Sequence, residues 1–282
     1  MSEINSFGII GGDKRQLYCG KALAEDGYDV SVCGFEHCND TSGLPCVGLS
    51  DAAESCDAFI LPVPVSRDGK TVNAPFSDTC ILTGDYLDSV IGKKPVFCGI
   101  KELSGLKGSN VYDYAAREEF AVMNSVPTAE GAVCTAMNEY DGTIHGSKCL
   151  VAGYGRIGKV LSRMLDSMCA DVTVSARNLK DMAFIKAAGM KAVNSYDITG
   201  EYDLIFNTVP YLLFDTHTLA RVGSHAIIID LASKPGGVDH EGASRMHIKT
   251  VHALSLPGKT APKRAGEIIK ETIYHIIGEE GI

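Results

Sequence analysis

No apolar run in this 282-residue chain approaches the roughly 18 residues that a membrane-spanning helix needs. Its first residues, Met1 to Phe7, lack the basic start and apolar stretch of a secretory signal, so the chain reads as cytoplasmic. Positive charge is also short, with 26 Lys and Arg against 35 Asp and Glu, a formal net charge of −9. That balance argues against a broad nucleic-acid-binding face, which would have to be basic. A small anionic ligand in a local cationic pocket remains compatible with it. Cysteine is plentiful, ten residues with seven before residue 100, yet no C-x-x-C pair occurs. The closest are Cys33 and Cys38, five apart, Cys46 and Cys56 stand ten apart, and His37 beside Cys38 is the one tight Cys/His neighbour pair. Free thiols are expected, with neither a disulfide framework nor a metal site. The eight histidines show no H-E-x-x-H or triad spacing. His145 and His252 lie beside predicted strands and read as structural. No solenoid repeat or low-complexity tract is present.

What is there is an ordinary globular mixture, 45% hydrophobic and 22% charged. At about 150 residues per domain the length suggests two domains. The run Ser6 to Ile10 reads as a strand ending in the turn Gly11-Gly12-Asp13, and Arg15 to Asp26 as a helix stopped by Gly27. Tyr28 to Cys33, Asp57 to Val65, Pro95 to Cys98 and Phe120 to Met123 read as further strands. Thr128 is placed as the N-cap of a long connecting helix. The pattern then restarts: strands at Lys148 to Ala152, Val172 to Ala176, Leu204 to Val209, Ala226 to Leu231 and Lys249 to Leu254, with a helix at Arg156 to Cys169. Ala261 to Ile277 closes the chain with apolar residues at helical spacing. Strands alternating with helices predict two doubly wound α/β domains with parallel sheets. The expected division is a substrate domain over 1–128, a connecting helix over 129–145 and a nucleotide-binding Rossmann domain over 146–259.

The most specific motif is Gly153-Tyr154-Gly155-Arg156-Ile157-Gly158, which follows a predicted strand and opens a predicted helix. In that setting G-x-G-x-x-G binds a dinucleotide. The first glycine permits the turn, the second lets pyrophosphate reach the backbone, and the third lets helix pack on strand, while the helix N-terminus supplies N–H groups. An NAD site usually carries an acid at the end of the second strand. Here the chain reads Ser175-Ala176-Arg177-Asn178, and the nearest acid, Asp181, comes late. Arg177 suits a 2′-phosphate, with Ser175 or Asn178 adding hydrogen bonds, so NADP is preferred over NAD. Asn207-Thr208-Val209-Pro210 and Asp230 to Gly237, with Ala232 and Ser233, lie at later strand ends and are expected to line the nicotinamide half. Asp230 could equally cap a turn.

The chain resembles the dipicolinate synthase A-subunit family, enzymes of sporulation in Firmicutes. The resemblance is carried by Gly8-Ile9-Ile10-Gly11-Gly12-Asp13-Lys14-Arg15-Gln16, Ile60-Leu61-Pro62-Val63, Asn124 to Gly131, Ile144 to Ser147, the glycine motif, Asp230 to Gly237, and Leu256-Pro257-Gly258 through Gly266. Arg264 and the cysteine load depart from the family's pattern. The resemblance implies oxidation of a dihydrodipicolinate-type ring to pyridine-2,6-dicarboxylate together with a flavoprotein-like B subunit. It also implies a flavodoxin-like first domain beside the Rossmann domain, with the last helix, 260–282, returning to the first. A homo-oligomer is expected, with neither nucleic acid nor membrane as partner.

A dicarboxylate needs cations or N–H donors at both ends, facing the cofactor across an interdomain cleft. Arg15 is the first candidate anchor, although it could be an exposed first-turn arginine. Ser66, Ser125, Thr128 and Lys259 are further substrate candidates, Thr128 being equally a plain N-cap. Pro257 is placed against the cofactor. Glu130 is the candidate proton acceptor, with a capping role as the alternative. Two other functions fit the same motifs: an NADP-dependent reductase of another small carboxylic acid, and a non-catalytic nucleotide-binding subunit.

Overall fold

The computed structural model describes residues 4–233 and 235–282. It divides into two compact units, the first made of 1–124 and 261–282, the second of 125–260.

The first unit opens with β1 (Ser6–Ile10), α1 (Lys14–Glu25) and β2 (Asp29–Cys33). It continues with α2 (Leu49–Ser55), β3 (Ala58–Ile60), α3 (Asp85–Ile91), β4 (Val96–Cys98) and β5 (Val111–Asp113). All five strands are parallel, in the order β2-β1-β3-β4-β5. That is the flavodoxin-like arrangement, in which strand order reverses beside the first strand. Parallel strands are covered on both faces, so β1, β3 and β4 read as nearly unbroken apolar runs: Phe7, Ile9, Phe59, Ile60 and Phe97 are fully buried.

From Glu118 to Glu139 runs one 22-residue helix, α4. This corrects two expectations. Phe120 to Met123 is helical, with Phe120 buried while Val122 and Met123 are exposed, a helical alternation that the apolar composition concealed. Thr128 is not an N-cap, because the helix begins ten residues earlier and carries Pro127 in its interior. Proline usually ends a helix by removing an N–H and crowding the preceding turn, which is why the segment read as a loop followed by a fresh start.

The second unit holds β6 (Lys148–Ala152), α5 (Arg156–Ser167), β7 (Asp171–Ala176), α6 (Leu179–Ala187) and β8 (Lys191–Asn194). Then come β9 (Leu204–Asn207), α7 (Thr216–Leu219), β10 (Ile227–Asp230), α8 (His240–Arg245), β11 (Lys249–His252) and α9 (Leu256–Thr260). Its six parallel strands follow the order β11-β10-β9-β6-β7-β8, the doubly wound dinucleotide-binding topology. Order reverses between β6 and β9, and ligands of such sheets lie at the carboxyl ends of strands there.

The last helix, α10 (Pro262–Glu280), belongs to the first unit and lies on α1. A Cβ on Gly266 would meet the Cys19 amide at 2.7 Å and Tyr18 Cβ at 2.9 Å, so glycine is what allows the two helices this close. Asp26 accepts from Lys270 Nζ at 2.6 Å and from the Tyr274 hydroxyl at 2.7 Å, pinning the far end.

Candidate functional site

The glycine motif sits at the switch point of the second sheet. Gly153 follows β6 at φ +99°, a conformation that side chains rarely adopt, and a Cβ there would meet Thr208 Oγ1 at 2.6 Å and Val209 Cγ2 at 2.9 Å. Gly158, one turn into α5, abuts the Gly153 carbonyl so closely that any Cβ would collide with backbone. Gly155 faces the other way, with nothing within 4 Å of where its Cβ would be. It is the N-cap of α5 and offers no side-chain bond to the amides behind it. Two glycines therefore allow close packing, and the third leaves an uncapped helix N-terminus facing open space, the arrangement that accepts a pyrophosphate.

That space is a cavity of about 350 Å³ whose walls include Gly153, Tyr154, Gly155, Arg177, Asp181 and Tyr211. Ala176, Asn178, Thr208, Val209 and Pro210 complete the same wall. Thr208 is fixed by its backbone and hydroxyl, which both donate to Ala152 O, at 3.0 and 2.8 Å. Arg177 is exposed and its guanidinium lies 5.2 Å from the centre of the Tyr211 ring. Arg156 and Ile157, the two residues between the second and third glycines, form the first turn of α5.

Several proposed contacts are occupied by the fold instead. Ser175 is fully buried and accepts from the Ser195 hydroxyl at 3.2 Å. Asn178 caps α6, accepting from the Asp181 amide at 2.7 Å and donating to the Asp181 carboxylate at 2.7 Å. Asp181, which the spacing placed too late, thereby stands in the cavity wall itself. Asn207 is fully buried and donates to Asp230 Oδ1 at 2.8 Å and to Val209 O at 3.1 Å, shaping the loop from behind. Asp230 accepts from the Ala232 amide at 3.2 Å as well. Ala232 is buried and Ser233 exposed, whereas Lys234 of the same segment lies outside the described residues.

Glu130 does not cap a helix start, since α4 begins twelve residues before it. On α4 the residues Ala129, Ala132 and Ala136 are fully buried, and Glu130 turns to the outer face. There it borders a wide groove of about 940 Å³ with Val133, Cys134, Met137, Val160 and Met164, away from the glycine cavity. Its place one residue after the apolar stripe dictates this, since successive helical residues turn about 100°. Ser125 is buried and Thr128 half-buried within α4, so neither offers a helix-start amide. On α9, Pro257 is buried and Lys259 exposed. That helix reaches α4 at Gly131, where a Cβ would meet Leu256 Cβ at 2.8 Å.

In the first unit, Asp13 caps α1 by accepting from the Arg15 amide at 2.9 Å, while Gln16 returns a side-chain oxygen to the Asp13 amide at 3.0 Å. Arg15 is not an exposed first-turn residue; only 8% of it is accessible. Its Nε and Nη2 donate to the Asp13 carboxylate, each at 2.9 Å, and Nη2 also donates to Val63 O at 2.8 Å. Burial pushes the Asp13 carboxyl up, but the hydrogen bonds and charge of Arg15 outweigh it and hold it below its ordinary 3.8. Of the three guanidinium nitrogens only Nη1 has no partner among the described residues, since Nη2 is shared between Asp13 and Val63. Ser66 is fully buried, donating to Asp68 at 3.0 Å and accepting from the Gly69 amide at 2.9 Å, which makes it a loop residue.

One neighbour of the site had not been expected from the sequence: His240, the first residue of α8, whose Nε2 is 3.4 Å from Asp230 Oδ2. A histidine directly after the Asp239 N-cap and ten residues beyond a strand-end aspartate was the available signal.

No helix among the described residues is long and apolar enough to cross a membrane. Residues 6–107 match the family model of the N-terminal domain of the dipicolinate synthase A-subunit. Residues 118–241 match that of the NAD binding domain of D-isomer specific 2-hydroxyacid dehydrogenases. The dipicolinate synthase A-subunit of Bacillus subtilis is 31% identical over 96% of this chain and 95% of its own length. The crystal structure of its counterpart from Bacillus halodurans superposes with a TM-score of 0.82 at 31% identity, covering 97% of both chains. The Bacillus subtilis crystal structure gives 0.84 at 28% identity, covering 99% of this chain and 97% of that one. The D-lactate dehydrogenase of Escherichia coli shares the fold alone, with a TM-score of 0.60 at 15% identity, covering 98% of this chain and 97% of that one. Matched from end to end in both sequence and architecture, the chain belongs to the dipicolinate synthase A-subunit family.

Proposed function

We propose that this chain is the nicotinamide-dependent oxidoreductase component of a dipicolinate synthase, using NADP. In the reaction a dihydrodipicolinate-type ring loses a hydride and a proton, and becomes pyridine-2,6-dicarboxylate. The observation that carries the reading is the uncapped N-terminus of α5 at Gly155, open on the side where Gly153 and Gly158 are closed. The amides behind Gly155 would hold the pyrophosphate, and NADP when bound would supply the hydride acceptor. Arg177, held over Tyr211, is assigned to the 2′-phosphate. Asp181 on the same wall is the feature that favours NAD, whose ribose hydroxyls donate to an acid.

The chain's own residues need to do little chemistry. Aromatisation drives the oxidation, so orientation of the ring matters more than a strong base. Arg15 is assigned to a substrate carboxylate through Nη1, its one nitrogen without a partner among the described residues. A flavoprotein-like B subunit is the proposed partner, in the cytoplasm of a sporulating cell. The test is turnover of dihydrodipicolinate by the purified chain with NADP, with and without the B subunit, following NADPH and the ultraviolet-absorbing pyridine product. Formation of both in equal amounts is expected. NADP binding with no turnover under either condition would leave a regulatory nucleotide-binding role and refute the assignment.

A further inference from the structure

β10 and β11 run parallel, with Asp230 paired to His252 and Ile228 to Thr250. Partners across a ladder share a face of the sheet, as do residues two apart on one strand, so Asp230, His252 and Thr250 form one patch. His240 enters this patch from α8. Its Nε2 is 3.4 Å from Asp230 Oδ2, its Nδ1 is 3.0 Å from Thr250 Oγ1, and its ring centre is 5.3 Å from that of His252. The ligand atoms of Asp230, His240 and His252 all lie within 4.8 Å of one another.

Asp230 shows what the patch lacks. Its Oδ1 is satisfied by Asn207 and the Ala232 amide, but Oδ2 is fully buried with no hydrogen-bond partner among the described residues. A carboxylate oxygen left so is costly unless a cation or donor completes it. The 3.4 Å to His240 Nε2 is too long for a good hydrogen bond. It does match the edge of a tetrahedron of ligands, about 3.3 Å for bonds of about 2.0 Å. With Nε2 turned to that centre, Nδ1 carries the proton and donates to Thr250, the outer contact that fixes a ligating imidazole. His252 is exposed and His240 half-exposed, which leaves an entry path.

We propose that Asp230, His240 and His252 bind one divalent first-row transition-metal cation, Zn²⁺ foremost, with a coordination position left open. Two imidazoles and one carboxylate form a donor set suited to such ions and poor for Ca²⁺ or Mg²⁺. The site is independent of which nucleotide or ring acid the protein uses. Its residues are spaced ten and twelve apart on three elements, which is why no local Cys/His spacing announced it.

The test uses the tag-free, chelator-treated chain titrated with Co²⁺, followed by Zn²⁺ in competition. One Co²⁺ per chain is expected, with the visible d–d absorption of a low-coordinate nitrogen and oxygen site, bleached by Zn²⁺. His240→Ala and His252→Ala each weaken Co²⁺ by well over about tenfold, and Thr250→Ala by about tenfold, the scale of an outer-shell loss. The metal-free thermal midpoint of each variant reports that it has folded. Should His252→Ala be misfolded, His252→Gln replaces it. Absence of saturable binding, or unchanged affinity in the His240→Ala, His252→Ala double variant, would overturn the proposal. So would a near-ultraviolet thiolate charge-transfer band, which would put the ion on a cysteine.

Discussion

Replacing Arg177 by alanine separates the two cofactors. The guanidinium is exposed on the cavity wall and lies 5.2 Å from the Tyr211 ring centre, so removing it disturbs no packed core. Hydrogen bonds from a charged donor to a 2′-phosphate contribute about 1.5–3 kcal/mol, and each 1.4 kcal/mol or so is tenfold. Arg177→Ala should therefore raise the Kd for NADP by about 10- to 150-fold. NAD has no phosphate there, and the loss of an exposed charge elsewhere amounts to roughly 0–1 kcal/mol, so its Kd stays within about fivefold. Tyr211→Ala removes the ring over which the guanidinium lies, about 0.5–1 kcal/mol and so about two- to fivefold in NADP binding, together with a half-buried packing contact that the variant's thermal midpoint reports.

Fluorescence titration of both nucleotides against both variants, at two salt concentrations, is the assay. The wild-type preference for NADP should shrink as salt rises, because an exposed charge pair is screened over about 8 Å at physiological ionic strength. Arg177→Asp should go further by setting a carboxylate against the phosphate. If NADP and NAD weaken by the same factor in Arg177→Ala, or NADP does not weaken, the residue has no part in cofactor choice. Asp181, the acid on the same wall, then becomes the discriminating group and NAD the cofactor.

The glycines make opposed predictions: Gly158→Ala should cost about 1–3 kcal/mol of stability because its Cβ strikes backbone. Gly155→Ala enters open space, costs at most about 1 kcal/mol as an altered N-cap, and yet should impair nucleotide binding; normal binding by that variant would refute the pyrophosphate position. Asp13 has its folded pKa held below 3.8, so its contribution is complete above that value and fades as pH falls through the lower folded one. Asp13→Asn should then destabilise the first unit by about 1–3 kcal/mol at neutral pH. Urea unfolding at a series of pH values should show the gap closing in acid, and a gap that does not change with pH would refute the pairing. Native alkylation followed by mass spectrometry should label Cys46, Cys80, Cys134 and Cys169 first, since these are exposed. Cys19 and Cys98 should resist until unfolding, burial pushing both thiols up to about 12; early labelling of either would contradict their burial.

The parts of this molecule that were legible in sequence share one physical property: their structure is dictated by neighbours in the chain. β6 was readable because a fully buried parallel strand must be apolar on both faces, and Cys149, Leu150, Val151 and Ala152 are all fully buried. The turn after it was readable because backbone approach, not a side chain, does the binding, so glycine at each position is the chemistry itself. β5 and β8 escaped notice as short edge strands: β8 is at most half-buried at any position, and so carries little apolar signature. α4 was misread because Pro127 obeys a local rule that its surroundings override, the small buried faces of Ala129, Ala132 and Ala136 holding the helix in place. The exposed place of Glu130 was illegible for the complementary reason, since a residue's composition tells nothing of the face to which a helix turns it until that helix has a fixed beginning. Asp230 and His240 lie at the far end of this scale. Their proximity depends on the register of β10 against β11 and on the docking of α8, none of which any run of consecutive residues encodes. An aspartate at a strand end was visible, but the buried oxygen left without a donor was not, and that oxygen turns a loop-capping residue into a candidate ligand.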